Sequence, residues 1–256
     1  MAHAFLVKDI AFQAGLSTAT VDRVINGRDG VRWQTVARVE AAINELRQQE
    51  SAAATSGRVH VFDIVMEAPD RFTNAVRRAL ESEAATFLPV IVRSRFHFTE
   101  QMRDADLSRL MARIRRRGSH GVVLKAPDTD VIRTEVAAMV AAGIPVITLV
   151  TDLPDSGRIA YAGSDNRVAG ETAAYLIGSR IGSASGTVLL TLSSSRFRGE
   201  EERENAFRRI AAARYPDLVI LEISEGYGKD SATGAQVRKA LETHGHINAV
   251  YSIGGG

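Results

Sequence analysis

The chain has 256 residues, 45% of them hydrophobic and 24% charged, with 32 basic against 30 acidic side chains and no cysteine. At roughly 150 residues per domain this is one large domain or two modest ones, long enough to bury a core without a disulfide or metal staple. The lack of cysteine excludes disulfide frameworks, cysteine zinc sites and thiol nucleophiles, and the near-neutral balance leaves any nucleic-acid role to a local segment.

The start, with His3 and Asp9, does not resemble a signal peptide. The longest apolar stretches, such as residues 143–150, fall far short of the about 20 residues that span a bilayer. The expectation is a soluble, cytoplasmic globular protein with no membrane partner.

In chain order, residues 8–14 place Val7, Ile10, Ala11 and Ala14 on one helical face. Gly15 then supplies a residue able to take positive φ. Ser17 is a good N-cap for a second helix over 18–26, with Val21, Val24 and Ile25 inward. The pairs Asn26-Gly27 and Asp29-Gly30 stop it. A third helix is expected over 34–49. The small, polar run 48–57 reads as a linker. From Arg58 short apolar runs alternate with amphipathic helices. The runs are 59–65, 87–92, 121–124, 144–150, 187–192, 218–223 and 249–253; the helices lie near 72–85, 101–117, 131–142, 167–181, 200–213 and 231–243. Continuous apolar runs suit strands buried on both faces by βαβ crossovers. The run 158–162 follows a strand with no helix between and reads as a strand crossing between two α/β lobes.

The stretch Lys8-Asp9-Ile10-Ala11-Phe12-Gln13-Ala14-Gly15-Leu16-Ser17-Thr18-Ala19-Thr20-Val21-Asp22-Arg23-Val24-Ile25-Asn26-Gly27 meets the needs of a helix-turn-helix. Its small residue is Ala11, its turn Gly15, and its pins Leu16, Val21 and Val24. The second helix would enter the major groove by its N-terminal end, exposing Thr18, Ala19 and Asp22. The backbone amides around Ser17 suit a phosphate. A plain three-helix cap is the alternative.

This string resembles the headpiece signature of the lactose-repressor family of bacterial transcription regulators. The resemblance implies that Thr18 and Ala19 face bases, that Arg23 and Asn26 lie close to the duplex, and that Ser17 and Thr20 sit near phosphates. Three departures stand out. Asp22 replaces the usual serine and should repel phosphate. Residues 1–50 carry six cations and six anions, so sequence-independent affinity should be weak. The family's Pro-Asn-rich hinge helix and its groove-wedging leucine are missing, with only Ala52-Ala53-Ala54 in their place.

From Val59 onward the alternation resembles the sugar-binding, periplasmic-type effector domain of the same family. It is carried by Ile144-Pro145-Val146-Ile147-Thr148, Tyr161-Ala162-Gly163-Ser164-Asp165-Asn166, Ala169-Gly170 and Glu202-Arg203-Glu204-Asn205-Ala206-Phe207. The implied fold is an all-α helix-turn-helix headpiece (1–50), a linker in place of the hinge (51–57), and an α/β periplasmic-binding-protein-like type I domain. That domain has two Rossmann-like lobes with parallel sheets (58–162 and 163–256). The second lobe is expected to be incomplete, with an exposed edge strand, because family members run on for some 70–90 residues.

Ligands of such folds sit beyond the carboxyl ends of the strands, and four residues are candidates. Asp152 either accepts from ligand hydroxyls or is a loop carboxylate. Arg203, matching the family's ligand arginine, either forks onto vicinal hydroxyls or a carboxylate, or is a surface cation. Arg198 either reaches the ligand or is solvated. Phe72 either stacks on a sugar face or joins the core. Val150 stands where many sugar binders have Asp, which weakens a simple pentose or hexose. Asp165-Asn166 reads as a helix cap, and 113–117 as a solvated helix end.

No enzyme motif of the P-loop, nucleophile-elbow or zinc-protease kind is present. His244 and His246 do not make a metal site, and no cofactor is expected. The implied function is a repressor that binds a near-palindromic operator as a homodimer under control of a small polar effector, a carbohydrate by resemblance. A ligand-binding module with impaired DNA binding is the alternative, and an enzyme on a Rossmann-like scaffold a distant third.

Overall fold

The computed structural model describes residues 5–28, 30–55, 59–87, 89–182 and 185–254. The chain divides into two compact units, Met1–Val59 with Ala85–Ile91, and His60–Ala84 with Val92–Gly256.

The first unit begins with α1 (Val7–Ala14), α2 (Thr18–Ile25) and α3 (Trp33–Thr55). Gly15 caps α1 at φ +61°, its amide returning to the carbonyls of Ala11 and Phe12. Ser17 is the N-cap of α2, its Oγ accepting from the Thr20 amide at 3.1 Å. Ile10, Ala11, Ala14, Val21, Val39, Ala42 and Ile43 form one small core, and Arg38 ties α3 to α1 by donating to the Ala14 carbonyl at 2.7 Å. Helix α3 runs through the expected linker as far as Thr55. Three alanines there are the best helix formers available, and no Pro or Gly intervenes before Gly57. Residues 56 and 57 of that linker lie outside the described residues.

The second unit holds two parallel sheets. In the first, β1 (Val59–Glu67), β2 (Ile91–Thr99), β3 (Gly121–Lys125), β4 (Val146–Leu149) and β5 (Ala160–Ala162) take the order β2-β1-β3-β4-β5. Leu107, Met111 and Ile114 of α5 (Asp104–Arg117) and Ile132, Val136 and Met139 of α6 (Asp130–Ala141) bury one face. Phe72, Val76 and Leu80 of α4 (Asp70–Ala84) pack on the other against Ile64 and Met66.

The second sheet comprises β6 (Gly186–Thr191), β7 (Leu218–Ile223) and β8 (Ala249–Ser252) in the order β7-β6-β8, so β8 is an edge. Its core joins Val188, Leu190, Phe207 and Ala211 with Ala174. These come from the sheet, from α8 (Arg198–Arg214) and from α7 (Asn166–Ile181). Helix α9 (Asp230–His244) precedes β8.

Two strand expectations need correction. The run 87–92 is strand only at its end: a 3₁₀ turn covers Ala85–Phe87, residue 88 lies outside the described residues, and β2 starts at Ile91. The actual strand alternates Arg93, Arg95 and His97 with Ser94, Phe96 and Phe98, the pattern of an edge strand rather than a continuous apolar run. The strand over 158–162 does not span the lobes. It is β5, paired parallel with β4 through Ile147–Ala160, Thr148–Tyr161 and Leu149–Ala162. The crossing is made by residues 163–165, which lead into α7.

Candidate functional site

In the first unit Ser17, Thr18 and Ala19 are exposed at the start of α2, Thr20 is half-buried, and Arg23 and Asn26 are exposed. Two candidates are engaged locally. The Ser17 and Thr20 hydroxyls lie 2.8 Å apart. The Asn26 amide nitrogen donates to the Asp22 carbonyl at 2.9 Å and carboxylate at 2.8 Å. Asp22 is further paired with Arg28 at 3.2 Å. The acid expected to repel phosphate is therefore held by a neighbouring guanidinium and amide.

In the second unit the carboxyl ends of both sheets open onto a cavity of about 320 Å³, within the range of small-molecule sites. Glu67 ends β1, Lys125 ends β3, Val150 and Thr151 follow β4, Ser193 follows β6, and Ile253 follows β8. Phe72, Asn166, Glu200 and Arg203 reach it from helices. This arrangement follows from parallel topology, since every strand points its carboxyl end the same way and the loops there carry side chains of many elements.

The charges around the cavity are specifically arranged. Lys125 donates to the Glu67 carbonyl at 2.8 Å, and its ammonium lies 3.8 Å from the Phe197 ring centre. Burial pushes the Lys125 ammonium down to about 8, with Glu200 and Glu67 opposing. Burial pushes the Glu67 carboxyl up, with Arg196 and then Lys125 opposing. Glu200 accepts from the Ser193 amide at 2.7 Å and from its hydroxyl. Ion pairs join the lobes: Arg196 to Glu67 (3.2 Å) and Asp104 (2.5 Å), Arg198 to Asp128 (3.3 Å), Lys229 to Glu100 (2.5 Å), and Arg71 to Asp230. Val150 takes φ +67°, costly for a β-branched residue. Its carbonyl accepts from the Tyr161 hydroxyl at 2.9 Å. Among the described residues no group of three or more His, Asp or Glu is placed to hold a metal ion.

Residues 64–256 match the periplasmic binding protein domain, and residues 6–48 match the lacI family of bacterial regulatory proteins. The chain belongs to the periplasmic binding protein domain family. Its headpiece is a lacI-family helix-turn-helix domain. The PurR transcriptional repressors of Pectobacterium carotovorum and Pectobacterium atrosepticum are 48% identical over 54 residues, which is 21% of this chain and only 16% of each repressor. The fold is similar to GanP, a glucose-galactose binding protein from Geobacillus stearothermophilus. There the TM-score is 0.64 at 21% identity, over 76% of this chain and 68% of that one. It is also similar to a solute-binding protein from Burkholderia graminis solved with D-arabinose. That match has a TM-score of 0.67 at 18% identity, over 76% and 65% of the two chains.

In this binding-protein fold the four cavity candidates separate. Phe72 and Arg203 line the cavity. Arg203 donates from Nη1 to the Ile253 carbonyl at 3.0 Å, while its Nε is buried without a partner. Asp152 is not among the lining residues. It is a loop carboxylate, taking Arg158 on both oxygens, the Thr148 hydroxyl at 2.7 Å and the Leu153 amide at 2.8 Å. Arg198 lines a separate polar recess and is held between Asp128 and Glu202. Asp165 caps α7 through the amides of Arg167 and Val168, as read, but Asn166 next to it belongs to the cavity.

Sequence reasoning missed Glu67, Lys125, Ser193 and Glu200. For the first two a signal existed: each is a charged residue closing an apolar parallel strand, Val-Met-Glu and Val-Leu-Lys. That is where an α/β fold places its ligand groups.

Proposed function

We propose that this chain is a cytoplasmic transcription regulator, acting as a repressor, whose affinity for operator DNA is set by a small polar, sugar-like effector bound between its two lobes. The headpiece (1–50) reads a near-palindromic operator as a homodimer, because two copies of one reading helix match two half-sites. Ser17 and Thr20 serve phosphates, Thr18 and Ala19 base edges, and Arg23 and Asn26 the flanking duplex. The lobes (58–162 and 163–256) exchange open and closed arrangements, and the effector shifts that equilibrium by its differential affinity. The observation carrying this reading is that one chain joins a lacI-family headpiece to a cavity at the carboxyl ends of two parallel sheets.

Selection of duplexes from a random pool by the purified chain, with and without candidate sugars, tests it. Enrichment of a near-palindrome whose binding changes with sugar is the expected result. A second reading, a ligand-binding module with impaired operator binding, draws on the neutral headpiece and on Asn26 being engaged by Asp22. Sugar binding without enrichment of any sequence would favour it and overturn the first.

A further inference from the structure

Five arginines gather at one end of the first sheet. Arg93 and Arg95, two apart and so on one face of β2, stand near its amino end, and Arg113, Arg116 and Arg117 lie on the last turn of α5. Their meeting point is Asp63 of β1, which is fully buried. The Asp63 carboxylate takes Arg117 and, at 2.8 Å, His97 on Oδ1, with Arg95 at 3.7 Å from Oδ2. Arg95 also donates to the carbonyl of Gly118, which caps α5, at 3.5 Å. Here β1 begins at Val59 and β3, parallel to it, at Gly121. It is the end at which the chain enters the sheet after α3.

The balance of charge at this end is one-sided. Asp63 is one carboxylate for five guanidiniums. Arg93, Arg113 and Arg116 are exposed and have no ion pair or hydrogen bond among the described residues. Arg115 on the same turn differs, being paired with Glu135 at 3.3 Å. Like charges at helical spacing repel, as do Arg113 and Arg117 four apart. A helix end rewards a cation, and a charged side chain guards a sheet edge. Neither effect draws the arginines of two elements together; the buried Asp63 does.

Such a surplus is complementary to a polyanion. Planar guanidinium forks match phosphate oxygens. Arg113 and Arg117 are separated by a rise of about 6 Å and Arg93 and Arg95 by about 7 Å. A DNA strand carries one phosphate per about 3.4 Å of axis, so each pair spans roughly two phosphates. The headpiece, with six cations against six anions, adds no surplus of its own. The counterion-release term that dominates non-specific DNA affinity must then be drawn from another part of the chain.

We propose that this arginine patch of the first lobe is a docking surface for the phosphate backbone of duplex DNA. The inference rests on the reading of the chain as a DNA-binding regulator. Recognition is divided: the headpiece reads sequence, and the sensor domain supplies sequence-independent attraction.

The test uses the full chain and a fluorescently labelled duplex of random sequence, titrated at several salt concentrations. The triple variant Arg93→Gln, Arg113→Gln, Arg116→Gln removes three exposed cations that hold no structural contact. The slope of log K against log salt should fall by about 2–3, roughly 0.9 for each lost contact, and binding at about 0.1 M salt should weaken on the order of 100-fold. Arg180→Gln, Arg214→Gln, Arg238→Gln makes the same change in net charge with exposed arginines of α7, α8 and α9, and should leave the slope near that of the parent. The patch variant should still enrich the parent's operator, because phosphate contacts carry no base information. Equal losses in both triple variants overturn the patch in favour of net charge alone. An unchanged slope in the patch variant, with operator still bound, overturns this inference and leaves the DNA reading standing. No binding of any duplex by the parent overturns both. Tighter binding of polyglutamate than of duplex at the same salt, lost in the patch variant, assigns the surface to an acidic protein and overturns DNA as its partner.

Discussion

Gly170 offers a direct test of how α7 and α8 position the cavity. A Cβ on Gly170 would lie 2.1 Å from the Arg203 carbonyl oxygen, 2.9 Å from its carbonyl carbon and 3.0 Å from the Ala206 Cβ. The obstacle is backbone, which no side-chain rotation relieves. To open the shortest contact to 3.0 Å, the α8 backbone at Arg203 must withdraw by about 0.9 Å. Gly→Ala inside a helix gains up to about 1 kcal/mol, whereas forcing atoms into a packed interface costs about 1–3 kcal/mol or more. Gly170→Ala is therefore expected to lose about 1–2 kcal/mol in urea unfolding, and to weaken ligand binding because Arg203 moves with its backbone. Gly178→Ala is the control: its Cβ would meet the Tyr215 ring at 2.3 Å, a side chain able to swing aside, so its loss should be smaller. A Gly170→Ala protein as stable as the parent, or more so, would refute the close-packing argument and leave only helix propensity at work.

Two further outcomes follow from the charges. Burial pushes the Asp152 carboxyl up, but bonds from Arg158, Thr148 and the Leu153 amide outweigh it and hold the group below the usual range. Asp152→Asn should cost about 1–2 kcal/mol at pH 7 with ligand affinity unchanged. The wild-type advantage should be present above about pH 4 and vanish as acid titrates the depressed native carboxyl; a weakened ligand would place Asp152 in the cavity after all. Lys125 is depressed to about 8 in the fold against 10.5 when free. Between those values the native state holds fewer protons than the unfolded chain. Wild-type stability relative to Lys125→Met should therefore climb as pH rises from 8 towards 10.5, and a pH-independent difference in chemical denaturation would contradict the burial of the ammonium.

Much of this architecture was legible because parallel strands buried on both faces leave continuous apolar runs, as in Leu218–Ile223. The rule fails at a sheet edge: β2 alternates arginines and histidine with Ser and Phe and so carries no continuous apolar run. Capping chemistry was readable at Ser17 and Asp165, where the sequence offers short polar side chains before a helix. The extension of α3 to Thr55 was hidden because small polar residues suit a linker and a helix alike. Of the four residues the sequence offered, Phe72 and Arg203 line the cavity. Asp152 and Arg198 were indistinguishable from ligand groups by type alone, since what decides their role is a partner distant in sequence or a turn away: Arg158 for one, Asp128 for the other.

The passage between lobes has a mechanical consequence. Residues 163–165 carry the chain across, and the next residue, Asn166, already touches the cavity. If the proposed effector occupies this cavity, it lies beside the point where the chain passes between the lobes. Helix α7 starts at that point and extends 16 residues, about 24 Å at 1.5 Å per residue. Along such an arm a 10° turn at the fulcrum displaces the far end by roughly 4 Å. Under the proposed function, small rearrangements around a ligand in this cavity would be geared up with distance, the surfaces farthest from it travelling most.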